Sequence, residues 1–164
     1  MSMDTLEVGG PPQTHVDHIV LLGGREDYQC LLAILQNKPY RLTWKCNQEE
    51  VAELCYREEV AVLVLCEEAI IGMSWHEFAR RLRTRAFPPL VLVSRPFVDG
   101  HYWAKVLLNG GFDVLERPFT SHRSVWLIER ACLRWNRERE KEVARKKQLS
   151  RMTPAEPAGI DNFR

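Results

Sequence analysis

The chain contains no apolar run near the roughly 20 residues that a membrane span requires, and no basic-then-apolar start of the kind that directs secretion. A protein without a membrane segment or signal peptide is expected. Its five cysteines, Cys30, Cys46, Cys55, Cys66 and Cys132, form no CxxC pair. An odd number inside apolar segments reads as reduced, buried thiols in a cytoplasmic protein. His15, His18, His76, His101 and His122 are scattered, so no clustered Cys/His set predicts a metal site, and no cofactor is expected. Repeats at solenoid periods are absent. Neither GxGxxG nor a Walker pattern surrounds the lone Gly23-Gly24 pair, so a phosphate cradle at a helix start would rest on two glycines alone. Charge of one sign is also missing. Lys and Arg number 23 against 22 Asp and Glu, which excludes a protein that coats nucleic acid over its whole surface.

What is present suits one domain with a full core: 164 residues, 45% hydrophobic and 27% charged. The charge is uneven, since the stretch from Arg134 to Arg151 carries eight Lys/Arg and three Glu. Residues 1–17, with Gly-Gly-Pro-Pro, read as a mobile leader. Short apolar runs then alternate with amphipathic stretches. Strands are predicted at His18–Leu22, Tyr40–Lys45 (edge-like), Val60–Cys66 (central), Pro89–Ser94 and Phe112–Leu115. Helices are predicted from Asp27, from an Asn47 cap with Glu50 as its partner, from a Ser74 cap, through Trp103, Val106 and Leu107, and from Ser121.

Five β-α units in strict alternation predict a doubly wound α/β fold. This is a flavodoxin-like parallel sheet of order 2-1-3-4-5 with helices on both faces. The domain is expected over 18–135, and 136–164 is expected to be a basic helical extension running into solvent and a disordered tail. Glu138 with Lys141 and Glu142 with Lys146 are spaced to pair along that helix.

Gly110-Gly-Phe-Asp-Val-Leu-Glu-Arg-Pro-Phe119 reads as a helix stop, a short strand and then a cation locked to a proline. The Arg117-Pro118 step restricts the backbone, allows a cis bond and fixes Arg117 at the carboxyl end of a strand, where open α/β folds place their ligand pockets. Together with Val62-Leu-Val-Leu-Cys-Glu-Glu-Ala-Ile-Ile-Gly-Met73 and Pro89–Ser94, this segment resembles the receiver domain of two-component response regulators. The resemblance covers about residues 18–135 in element order. Trp103 and the Ser-Arg step after strand four resemble a divergent bacterial branch.

The resemblance implies a phosphorylation pocket, and carrying it over shows what this chain replaces. The acidic pair that holds Mg²⁺ falls on Gly23 and Gly24. The acceptor aspartate falls on Glu67, or on Cys66 if the register slips by one. Ser94 retains the hydroxyl after strand four, and Arg117 replaces the lysine before Pro118. Mg²⁺ asks for several oxygen ligands, and two glycines supply none from side chains. Without the metal, charge on a transferred phosphoryl group is poorly neutralised. A degenerate receiver that is not an enzyme is therefore expected, with a Glu67–Arg117 ion pair near Ser94 in place of phosphorylation.

The resemblance implies partner contacts or self-association through the fourth helix, fifth strand and fifth helix, with Tyr102, Lys105, Val114 and Trp126 as candidates. Two alternatives stand beside this reading. Phosphate could enter through a relocated carboxylate, or the 134–151 arm could bind nucleic acid. Cys66 as a nucleophile has no histidine tied to it in sequence, and a buried thiol is the default.

Overall fold

Alternating buried strands and amphipathic helices assemble around one sheet in a computed structural model that describes residues 15–153. The elements are β1 (Asp17–Leu22), α1 (Arg25–Leu35), β2 (Tyr40–Lys45), α2 (Gln48–Arg57), β3 (Val62–Cys66), a 3-10 turn (Glu67–Ala69), α3 (Trp75–Leu82), β4 (Leu90–Arg95), α4 (Gly100–Leu108), β5 (Asp113–Glu116) and α5 (Ser121–Met152). The leader expected over 1–17 and the tail expected after Met152 lie almost wholly outside the described residues.

All four strand pairings are parallel and the order is β2-β1-β3-β4-β5. The sequence explains the order of burial. Every residue of β3 is buried, because helices cover both of its faces, whereas β2 at the edge is mostly half-covered. Ile19, Leu21, Val62, Val64, Leu92 and Leu115 pack against α1 and α5, while Val20, Leu22, Leu63, Leu65, Val93 and Val114 pack against α2, α3 and α4. The period of two along each strand thus feeds two cores.

Caps define the helix starts. The Asn47 side chain accepts from the Glu49 amide, without the reciprocal Glu50 contact the sequence suggested. Ser74 and Glu77 form a full capping box, and Asp99 caps α4. Gly110 adopts a positive φ of 89° after α4, a conformation open to glycine at little cost.

The last helix differs from expectation. The apolar stripe of α5 does end at Trp135, whose indole donates to the Pro88 carbonyl at 3.1 Å. The helix nevertheless stays attached to the body beyond that point. Asn136 donates to Asp17 at 3.0 Å, Arg139 meets Glu59 at 2.8 Å, and Lys146 lies 5.3 Å from the Phe87 ring centre. Polar and cation–π contacts hold it, and neither produces an apolar stripe. Glu142 does meet Lys146, at 3.8 Å, but Glu138 pairs with Arg134 rather than Lys141.

Candidate functional site at the carboxyl edge of the sheet

The order reverses between β1 and β3, and the crevice at such a reversal lies beyond the carboxyl ends of those strands. Five segments converge there: Gly23-Gly24 after β1, the first turn of α1, the end of β3, the end of β4 and the Arg117-Pro118 step, whose peptide bond is cis.

Arg117 is the centre of the cluster. Its side chain is only 11% exposed, and its Nη1 donates to Asp27 Oδ2 at 3.1 Å and also contacts Glu68 Oε1. This corrects the expected Glu67–Arg117 pair. After Cys66 the chain enters the 3-10 turn, which sends Glu68 to the guanidinium and carries Glu67 away toward α4. There the Tyr102 hydroxyl donates to Glu67 Oε2 at 2.7 Å, while the Arg95 guanidinium lies 4.2 Å from the Tyr102 ring centre. Burial, and then the Glu67 carboxylate, raise the Tyr102 hydroxyl above its ordinary pKa.

Of the two residues the sequence offered for the strand-end position, Cys66 is the one inside the cluster. It is fully buried, pairs in register with Ser94, and its Sγ lies 3.8 Å from Asp27 Oδ2. Burial pushes its thiol up to about 12 despite the nearby Arg117 charge, so it remains protonated at neutral pH and is a poor nucleophile. Asp27 was expected only as the start of the first helix. Position three of α1 instead turns its carboxylate back over the pocket.

Gly23 leaves room for Cys66. A Cβ built on Gly23 would lie 2.7 Å from Cys66 Sγ and 3.3 Å from its Cβ. Gly23→Ala is therefore expected to destabilise the fold by about 1–2 kcal/mol through overpacking, read as a lower urea midpoint at unchanged m-value. The Gly23 carbonyl accepts from the Trp44 indole at 2.9 Å, and Trp44 stacks on Tyr28 with centroids 5.3 Å apart. Trp44 is thus a pocket residue the sequence did not single out, brought there by the β1–β2 register.

Asp27, Cys66 and Glu68 place three candidate metal-ligand atoms within 4.8 Å of one another. They do not fit Mg²⁺. Two oxygens stand beside a protonated thiol, and a guanidinium already fills the cationic role. Ser94 Oγ and Arg117 Nε and Nη2 are buried without a partner, so the cluster keeps unused hydrogen-bonding capacity.

Beside the cluster, a groove of about 740 Å³ runs between the β4–α4 loop and the start of α5, lined by Phe97, Trp103, Val114, Arg117, Pro118 and Arg123. Among the candidate face residues, Lys105 is exposed and Trp126 is 41% exposed, but Tyr102 is turned inward and half-buried. Val114 is corrected as a surface contact. It is 3% exposed because its side of β5 faces the core under α4. Trp103, 44% exposed, stands on the face instead and donates to Asp113 at 2.9 Å.

No protein-family model and no curated protein matches the chain. Solved structures do. The signal receiver domain of a putative Luxo repressor protein from Vibrio parahaemolyticus superposes with a TM-score of 0.68 at 15% identity, covering 78% of this chain and 98% of that one. The signal receiver domain of an HD domain-containing protein from Pseudomonas fluorescens gives 0.69 at 18% identity, over 81% and 98%. The receiver domain of a Saccharomyces cerevisiae response regulator, co-crystallised with a histidine phosphotransfer signalling protein, gives 0.60 at 16% identity, over 73% and 90%. The chain has the receiver fold, a flavodoxin-like α/β architecture.

Proposed function

We propose that this chain is a response-regulator-like signalling module, working in a two-component or phosphorelay setting without being phosphorylated and without catalysing a reaction. The observation that carries the reading is the occupied pocket. Arg117 is held by Asp27 and Glu68, the strand-end position is a protonated Cys66, and Gly23-Gly24 offer no carboxylate. A phosphoryl group entering there would have to displace an internal ion pair and would lack a metal to spread its charge.

Output then comes through protein contact, for which the surface of α4 and α5 with Lys105, Trp103 and Trp126 is the candidate. A receiver domain of similar fold has been crystallised with a phosphotransfer protein, which makes a signalling protein the natural class of partner. The described residues contain no helix long and apolar enough to cross a membrane, and the expected setting is the cytoplasm.

Incubation with acetyl phosphate and Mg²⁺, followed by intact-mass measurement, tests the pocket. An unchanged mass is expected, together with a flat Trp44 fluorescence titration with Mg²⁺ and beryllofluoride. A phosphoryl adduct mapped to Asp27, Glu67 or Glu68 would overturn the reading in favour of a relocated acceptor.

A further inference from the structure

The outer face of α5 carries a pattern that the pocket does not explain. Arg123, Trp126, Arg130, Leu133, Arg137 and Lys141 recur at spacings of three and four along α5, and therefore share one face. The stripe is about 27 Å long at 1.5 Å per residue. Trp126 is 41% exposed and Leu133 is 59% exposed. Among the described residues, Arg130, Arg137 and Lys141 have no carboxylate within 4.0 Å, and Arg123 reaches Asp113 only at 3.9 Å. The guanidiniums of Arg123 and Arg130 lie 5.3 and 4.5 Å from the Trp126 ring centre. Toward the far end, Leu133 and the cations join Phe112 in a groove of about 420 Å³.

Arg130, Arg137 and Lys141, which have no carboxylate partner among the described residues, alternate here with the exposed Trp126 and Leu133. Such a surface loses little by being desolvated against a ligand that supplies both carboxylates and apolar groups. A phosphate backbone would satisfy the cations but leave Leu133 and Phe112, which line the same groove, unmatched. We infer that the α5 stripe is the docking surface for an acidic amphipathic helix of another protein. Carboxylates of that helix meet Arg130, Arg137 and Lys141, and its apolar ridge covers Trp126 and Leu133. This inference rests on the proposed protein-contact function and names the chemistry of the partner.

Three probes test it against the full chain by fluorescence anisotropy: a synthetic helical peptide with Glu flanking a Leu ridge, the same peptide with Gln for Glu, and a DNA duplex. The Glu peptide should bind about tenfold or more tightly than the Gln peptide, with affinity falling as salt rises. The triple variant Arg130→Glu/Arg137→Glu/Lys141→Glu should lose roughly a hundredfold in affinity for it. Leu133→Ser should weaken peptide binding several-fold at unchanged charge. Circular dichroism checks that each variant keeps its helix content, and Arg137→Glu alone, beyond the apolar core of α5, serves if the triple variant does not fold.

Equal binding of the two peptides, or affinity unchanged by charge reversal, overturns the inference. So does tighter binding of the duplex that disappears in the same variants, which would assign the stripe to nucleic acid. These outcomes are separable from failure of the proposed function. A phosphoryl adduct in the acetyl phosphate experiment sinks that reading whatever the peptides do, whereas a failed peptide titration with an unchanged mass sinks the stripe alone.

Discussion

Arg117→Met should lower the unfolding free energy by about 2–3 kcal/mol. Methionine keeps an unbranched stem of similar length, so the loss isolates the guanidinium. Removing one member of a buried ion pair strands the other. Here Asp27 and Glu68 would face each other and the buried Cys66 without a cation. The loss falls short of the roughly 3–5 kcal/mol of a fully buried pair because Arg117 is 11% exposed while Asp27 and Glu68 are 25% and 57% exposed, so water offsets part of it. Urea unfolding followed by tryptophan fluorescence measures it, and a change below about 0.5 kcal/mol would show the cluster to be incidental. Adding Asp27→Asn should recover part of the loss, because the stranded charge goes with it.

The same cluster sets a pH dependence. Burial opposes ionisation of Glu68, but the hydrogen bond and charge of Arg117 outweigh it and hold the carboxyl below its ordinary 4.5. A carboxyl with a depressed folded-state pKa contributes stability above its unfolded value and loses it as pH falls through the folded one. Wild-type stability should therefore fall below about pH 4.5 more steeply than that of Glu68→Gln.

Trp135→Ala should cost more, about 3–4 kcal/mol. The indole is 3% exposed, belongs to the core cluster between the sheet and α1 and α5, and leaves the Pro88 carbonyl without its donor when removed. It is also the last large apolar anchor of α5 before the helix depends on Asn136, Arg139 and Lys146. Amide exchange across 136–146 should accelerate in the variant beyond what the global destabilisation accounts for, since few apolar contacts remain to hold that stretch. Exchange that rises only in proportion to the global change would show those contacts to be self-sufficient.

Much of this architecture is legible in the sequence because burial writes a pattern. The continuous apolar run at 62–66, short and rich in valine, suits a strand covered on both faces, and the alternation of strand and helix leaves few topologies open. The site is less legible, for particular reasons. Periodicity locates β3 but not the residue at which it ends. A single 3-10 turn decides whether Glu67 or Glu68 reaches Arg117. Asp27 faces the pocket because of where α1 begins, and Trp44 because of strand register, neither of which leaves a mark in residue type. Val114 was a candidate because the resemblance implies partner contacts over the fourth helix, fifth strand and fifth helix, but its side of β5 lies in the core under α4. Beyond Trp135, the ties that hold α5 are single polar pairs, indistinguishable in sequence from a solvated face.

α5 is one unbroken helix of 32 residues, and about 25 Å of it extends past Trp135 at 1.5 Å per residue. Such a rod transmits angle as well as distance. Each inserted residue turns everything beyond it by about 100° while lengthening it only slightly, and about seven residues restore the original phase. A molecule gripping the far end would therefore sense rotational phase before it sensed length. The helix would work as a protractor for whatever the domain holds in register.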